Sequence, residues 1–102
     1  MQTADNHIEK ILKILKLVKQ KYTKDGITLV GVFGSVARGE THNGSDIDIL
    51  YKTQKGIENL YDKKSLLKEE LQNILKTKVD LANEKYIKPY AKESIIKDLI
   101  YV

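Results

Sequence analysis

The chain has 102 residues, 41% of them hydrophobic and 31% charged, with a formal net charge of +4. Such a composition is globular rather than disordered, and the length suits one domain, residues 1–102, that buries roughly 60–70% of its unfolded surface. The absence of cysteine excludes a disulfide scaffold, a Cys-ligated zinc site and a thiol nucleophile, and fits a reducing cytoplasm, which is the expected location.

No apolar run approaches the roughly 20 residues of a membrane span, and charges interrupt the N-terminal apolar stretch where a signal peptide needs a clean one. Eighteen basic residues face fourteen acidic ones. A basic excess can mark a nucleic-acid partner, but Lys-rich surfaces are ordinarily just solvated. The single arginine, Arg38, argues against a nucleic-acid groove, because Arg is the preferred residue for bidentate phosphate and base contacts. Neither a membrane nor a nucleic-acid partner is expected.

In chain order, Ile8, Ile11, Leu12, Leu15 and Val18 recur at helical steps, with Lys10, Lys13 and Lys16 on the other side. Asn6 and Glu9 read as a capping box, and Asp25-Gly26 as the turn that stops the helix. Ile27 to Phe33 is a short apolar run and reads as a buried strand. Gly34-Ser35 breaks it, and Val36-Ala37-Arg38 starts a short helix with Ser35 near its N-cap. Glu40 to Ser45, with Asn43-Gly44, reads as a loop. Asp46 to Lys52 reads as a second strand.

Leu60, Leu67, Leu71 and Ile74 mark a second long helix, with Asn59 as a cap. Val79-Asp80-Leu81 reads as a third strand, and Pro89 belongs in the first turn of a last helix whose apolar side is Tyr90, Ile95 and Ile96. Leu99 to Val102 reads as an edge strand. The order predicts an α/β (α+β) sandwich, a small mixed sheet covered by helices.

Asp46 and Asp48 carry the first chemical signal. At i and i+2 of a strand they share a face, while Ile47 and Ile49 turn to the core. Two carboxylates about 6–7 Å apart repel by about 2–3 kcal/mol at an effective dielectric near 20. A divalent cation offsets that repulsion, and oxygen-only ligands suit Mg²⁺ or Mn²⁺. Solvation at a strand end is the ordinary alternative. Asp80 faces away from the core between Val79 and Leu81. If the third strand lies beside the second, three carboxylates share one patch, as a two-metal phosphoryl-transfer site requires. Gly34-Ser35, at a strand-to-helix turn, allows close backbone approach and offers N–H groups to an anion, although it also reads as a plain tight turn. It is neither a Walker A loop nor a dinucleotide fingerprint. Arg38 can pair with a phosphate, with an aspartate, or with a surface carboxylate.

The run Gly34-Ser35-Val36-Ala37-Arg38-Gly39, then Glu40-Thr41-His42-Asn43-Gly44, then Ser45-Asp46-Ile47-Asp48 resembles the signature of the polymerase-β-like nucleotidyltransferase superfamily. There a Gly-Ser pair is followed, after a short loop, by Asp-x-Asp, and a third acidic residue lies on a later strand. The small size and the Ala-Arg-Gly and Ser-Asp spellings are similar to the minimal nucleotidyltransferases. The resemblance implies that Gly34 and Ser35 hold the β- and γ-phosphates of ATP. It implies that Asp46, Asp48 and Asp80 are catalytic and ligate two Mg²⁺ ions, with Asp80 helping to deprotonate the attacking hydroxyl. Arg38 matches a frequent nucleotide-site position. The family's larger members carry a further domain for the acceptor, and nothing in these residues corresponds to one. Minimal members commonly act as antitoxins beside a helical HEPN-type RNase toxin, moving AMP from ATP to a toxin tyrosine, and that is the activity the resemblance implies here.

Other readings compete with it. The protein can be an antitoxin that masks its partner by contact alone, a basic nucleic-acid module, or an enzyme that modifies a small molecule such as an antibiotic. His42, in the loop, and His7, at the start of the first helix, read as solvated. The six tyrosines, Tyr22, Tyr51, Tyr61, Tyr86, Tyr90 and Tyr101, read as packing or surface residues, although any one could accept AMP in self-modification.

Overall fold

A computed structural model of the chain describes residues 3–40 and 46–102. The first helix, α1, spans Thr3–Thr23. Its stripe Ile11, Leu15, Val18 and Tyr22 is buried, and Lys10, Lys13 and Lys16 are exposed on the other side. The helix starts ahead of the Asn6–Glu9 box, so Asn6 lies within it and is not its cap. Ala4 is a strong helix former and Asp5 an acid suited to a first turn, so the earlier residues extend the helix.

After the turn at Asp25-Gly26 come strand β1, Ile27–Phe33, the four-residue helix α2, Gly34–Ala37, and strand β2, Ile47–Thr53. Helix α3, Leu60–Leu75, leads to strand β3, Val79–Asn83. A short 3-10 turn, Glu84–Tyr86, precedes helix α4, Pro89–Asp98, with Pro89 in its first turn, and strand β4, Ile100–Tyr101. The described strands form one mixed sheet in the order β3-β2-β1-β4. Strand β1 is antiparallel to both β2 and β4, and β2 is parallel to β3. The architecture is the α+β sheet-and-helix arrangement expected of the sequence.

One face of the sheet carries the core. Ile27, Leu29, Val32, Ile47, Ile49, Tyr51, Val79 and Leu81 pack there with α1 and with Leu67 and Leu71 of α3. Removing a side chain such as Leu15, which is fully buried, costs about 2–5 kcal/mol. Leu29 and Val32 are three residues apart, yet both join the core. A register shift between Leu29 and Gly31 makes this possible, because a bulge resets the alternation of faces. The uniformly apolar run of β1 hides this shift from any reading of periodicity. Its effect is to send Gly31 and Phe33 to the opposite face, where they pair with Leu50 and Asp48.

Gly31 is required there by packing. A Cβ would run into the main-chain carbonyl of Ile100, so the missing side chain is what lets β4 close against β1. The last helix departs from expectation: none of its residues is buried, and Tyr90 and Ile96 are 84% and 49% exposed. Ile74 of α3 is likewise largely exposed. Short elements at the sheet margin have less neighbouring surface to bury an apolar side against. Asn59 does sit at the α3 N-cap, but in the left-handed region and without a side-chain cap bond, a conformation that Asn tolerates better than most residues.

Candidate active site

The site assembles where β1 ends and β2 and β3 begin. Asp48 of β2 stands opposite Phe33 of β1 on one side and opposite Asp80 of β3 on the other. Opposed residues share a face, and here it is the face away from the main core. The neighbours confirm the orientation: Ile47, Ile49, Val79 and Leu81 are buried, Asp48 is half-buried and Asp80 is exposed. Asp46 lies just ahead of β2, exposed at its mouth, and the strand is secured there by the Ile47 N–H donating to the Lys78 carbonyl at 3.0 Å.

The Gly34-Ser35 turn closes the site from β1. Gly34 has φ +76°, in the left-handed region, and a Cβ on it would overlap the Asp48 carboxylate. Glycine is therefore required twice, for its conformation and for its size. Ser35, expected near the cap, lies inside the first turn of α2, because the turn begins at Gly34 with Phe33 as its cap residue. The Arg38 N–H donates to the Gly34 carbonyl at 3.1 Å and the Glu40 N–H to the Ser35 carbonyl at 2.9 Å, so the turn is pinned by its own backbone.

Burial pushes the Asp48 carboxyl above its ordinary value, and the charges of Asp80 and then Asp46 push it further, against a smaller opposing pull from Arg38. Asp80 and Asp46 thus lie close enough to act on Asp48, and the all-oxygen donor set of the three fits a hard divalent cation. They are not drawn into a closed ligand cluster: among the described residues no group of three or more acidic or histidine side chains is gathered tightly enough to hold a metal.

Arg38 donates to Glu40 and, across sixty residues of sequence, to Asp98. Nothing in the local sequence signals Asp98, which arrives only because α4 folds back toward α2. The loop 41–45, with His42, lies outside the described residues, whereas His7 is exposed. Tyr22 and Tyr51 are buried, and Tyr61, Tyr86, Tyr90 and Tyr101 are exposed.

Comparison with known proteins identifies the family. The family model described as the nucleotidyltransferase domain matches residues 11–102. The chain belongs to that family. This nucleotidyltransferase is 42% identical over 103 residues to a chain of Methanocaldococcus jannaschii named "Putative protein adenylyltransferase MJ1379", covering all of both. It is 35% identical over 95 residues to the protein adenylyltransferase MntA of Thermococcus cleftensis, covering 93% of this chain and 92% of that one. A solved minimal nucleotidyltransferase superposes with a TM-score of 0.78 at 29% identity, over 93% of this chain and 95% of that one. The crystal structure of a toxin–antitoxin with AMP-PNP shares the fold, with a TM-score of 0.66 at 20% identity, over 85% of this chain and 70% of that one. Among the described residues no helix is long and apolar enough to cross a membrane.

Proposed function

We propose that this nucleotidyltransferase transfers AMP from ATP to a tyrosine hydroxyl of a partner HEPN-type toxin, and so acts as the antitoxin of a pair. The observation that carries the reading is the register of Asp48 with Asp80 beside a Gly34-Ser35 turn where only glycine leaves room for the Asp48 carboxylate. The names of the Methanocaldococcus and Thermococcus relatives and the toxin–antitoxin neighbour support the choice of acceptor.

In this reading Gly34 and Ser35 hold the β- and γ-phosphates through backbone N–H groups and the hydroxyl, and the absence of a side chain at Gly34 keeps the phosphates close to the carboxylates. Asp46, Asp48 and Asp80 would hold Mg²⁺, which would supply charge neutralisation for the transfer of the adenylyl group. Half-buried Asp48 gives up little hydration on taking a cation, since it is already part-desolvated. The acceptor oxygen bonds to the α-phosphorus, the bond from that phosphorus to the pyrophosphate oxygen breaks, and Asp80, exposed at the rim, takes the hydroxyl proton.

Stoichiometry tests the antitoxin role. Purified partner is mixed with a hundredth of its molar amount of this protein, Mg²⁺ and ATP, then assayed for toxic activity and intact mass. Full neutralisation with one or more added adenylyl groups on a tyrosine is expected. Neutralisation that needs equal molar amounts and leaves the mass unchanged would show masking by contact and reject the transfer.

A further inference from the structure

The one arginine of the chain stands next to the acidic site but is not spent on it. The Arg38 Nη1 donates to Asp98 Oδ2 at 2.6 Å, while Nε and Nη2 donate to the two oxygens of Glu40, each at 3.2 Å. Both ends of this clasp lead to structure. Glu40 and Arg38 are tied through their own N–H groups to the carbonyls of Ser35 and Gly34, so the guanidinium rides on the turn that faces Asp48. Asp98 is the last residue of α4 and is joined through Leu99 to β4, whose Ile100 and Tyr101 pair with Val32 and Gly31. Asp98 is thereby fixed to the strand that leads into the same turn, and its side chain is only 18% exposed.

A surface ion pair of this kind adds little to stability, so its value has to be sought in direction. A guanidinium is a rigid planar fork, and a fork gripped by two carboxylates points one way. Loosened, the sole arginine would be drawn toward the Asp48–Asp80 carboxylates, since its charge already acts on Asp48. We propose that Asp98 is a positioning residue: it holds Arg38 over the Gly34-Ser35 turn, on the phosphate side of the site, and keeps it off the Asp48–Asp80 carboxylates. The proposal rests on the reading of that turn as the phosphate-binding element.

The test exploits the arginine count. With Arg38 alone in the chain, a ¹⁵N-labelled sample gives one arginine Nε–Hε resonance, which reports the clasp with no assignment problem. Its heteronuclear NOE is recorded on the full chain, wild type, Asp98→Asn and Asp98→Glu, and each is titrated with ATP in the presence of Mg²⁺. The wild-type signal is expected to be rigid and the Asp98→Asn signal motionally averaged. The ATP dissociation constant should rise roughly three- to tenfold in Asp98→Asn and return most of the way in Asp98→Glu. In an Arg38→Ala background, Asp98→Asn should weaken binding no further. A rigid Arg38 signal in Asp98→Asn, an unchanged ATP affinity, or an added loss in the Arg38→Ala background would each overturn the proposal. Wild-type protein that binds no ATP would fail the functional reading instead, and the Arg38 signal would still decide whether Asp98 fixes the guanidinium.

Discussion

Gly34 and Asp48 fit together so closely that the smallest possible side chain at Gly34 would overlap the Asp48 carboxylate. The contact joins the first residue of α2 to the second residue of β2. Gly34→Ala is expected to do two separate things. It forces a left-handed conformation on a residue with a Cβ, at about 1–2 kcal/mol, and it displaces Asp48, lowering AMP transfer by roughly 100-fold. Gly39→Ala is the control. Gly39 also has positive φ, at +80°, but open space surrounds it, so a similar loss of stability should come with near-normal transfer. Thermal melts alongside turnover rates separate the two effects.

Asp48 and Asp80 are opposed in register, and like charges set opposite one another repel, so either charge burdens the fold. Asp48→Asn and Asp80→Asn should each lower transfer by about 10²–10³-fold while raising stability by up to about 1 kcal/mol. Denaturant midpoints of the chelated proteins measure the stability side. Activity lost together with stability would mean that the carboxylates are structural.

The raised Asp48 carboxyl makes the stability of the metal-free protein depend on pH. The folded pKa is raised above the ordinary 3.8 by burial first and by Asp80 and Asp46 next, so the Asp48 contribution is fully present below 3.8 and is lost as pH rises through the folded value. Wild type and Asp48→Asn, melted without metal across that range, should converge in acid and separate as pH rises.

Between α1 and α3, the Tyr22 hydroxyl donates to Glu70 Oε1 at 2.8 Å, and Lys21 Nζ lies 3.0 Å from the same oxygen. Burial and then the Glu70 bond push the Tyr22 hydroxyl up to about 12, and the Tyr22 bond holds the Glu70 carboxyl below its ordinary value. Tyr22→Phe should cost about 1 kcal/mol near neutrality. Because the folded Tyr22 value is raised above 10.0, its contribution is present below that pH and lost as pH rises through about 12. The Glu70 share runs oppositely, present above 4.5 and lost as pH falls through the lowered value. Alkaline difference spectra of wild type and Tyr22→Phe identify the late-titrating tyrosine.

Much of this site is written locally. The alternation around Asp46, Ile47, Asp48 and Ile49, and again around Asp80, puts apolar residues inward and carboxylates outward, because a period of two needs only neighbours to be read. The Gly34-Ser35 break is equally local. What the sequence hides depends on distant chain or on absent contrast. The β1 bulge falls in a run with no polar residue between Leu29 and Val32 to reveal a change of face. The Arg38–Asp98 bond spans the fold, and the exposure of Tyr90 and Ile96 depends on how much sheet α4 has to cover. Asn6 and Ser35 look like caps by residue type, yet flanking residues start their helices earlier.

The central question is whether AMP, rather than the terminal phosphate, leaves ATP through these carboxylates. The direct measurement incubates the purified protein with Mg²⁺, its partner toxin and ATP labelled at either the α- or the γ-phosphate, with Asp48→Asn in parallel. Label should appear on the partner from the α-position only, vanish with a chelator, and vanish in Asp48→Asn. Transfer from the γ-position, transfer undiminished in Asp48→Asn, or no transfer from folded wild type would contradict it.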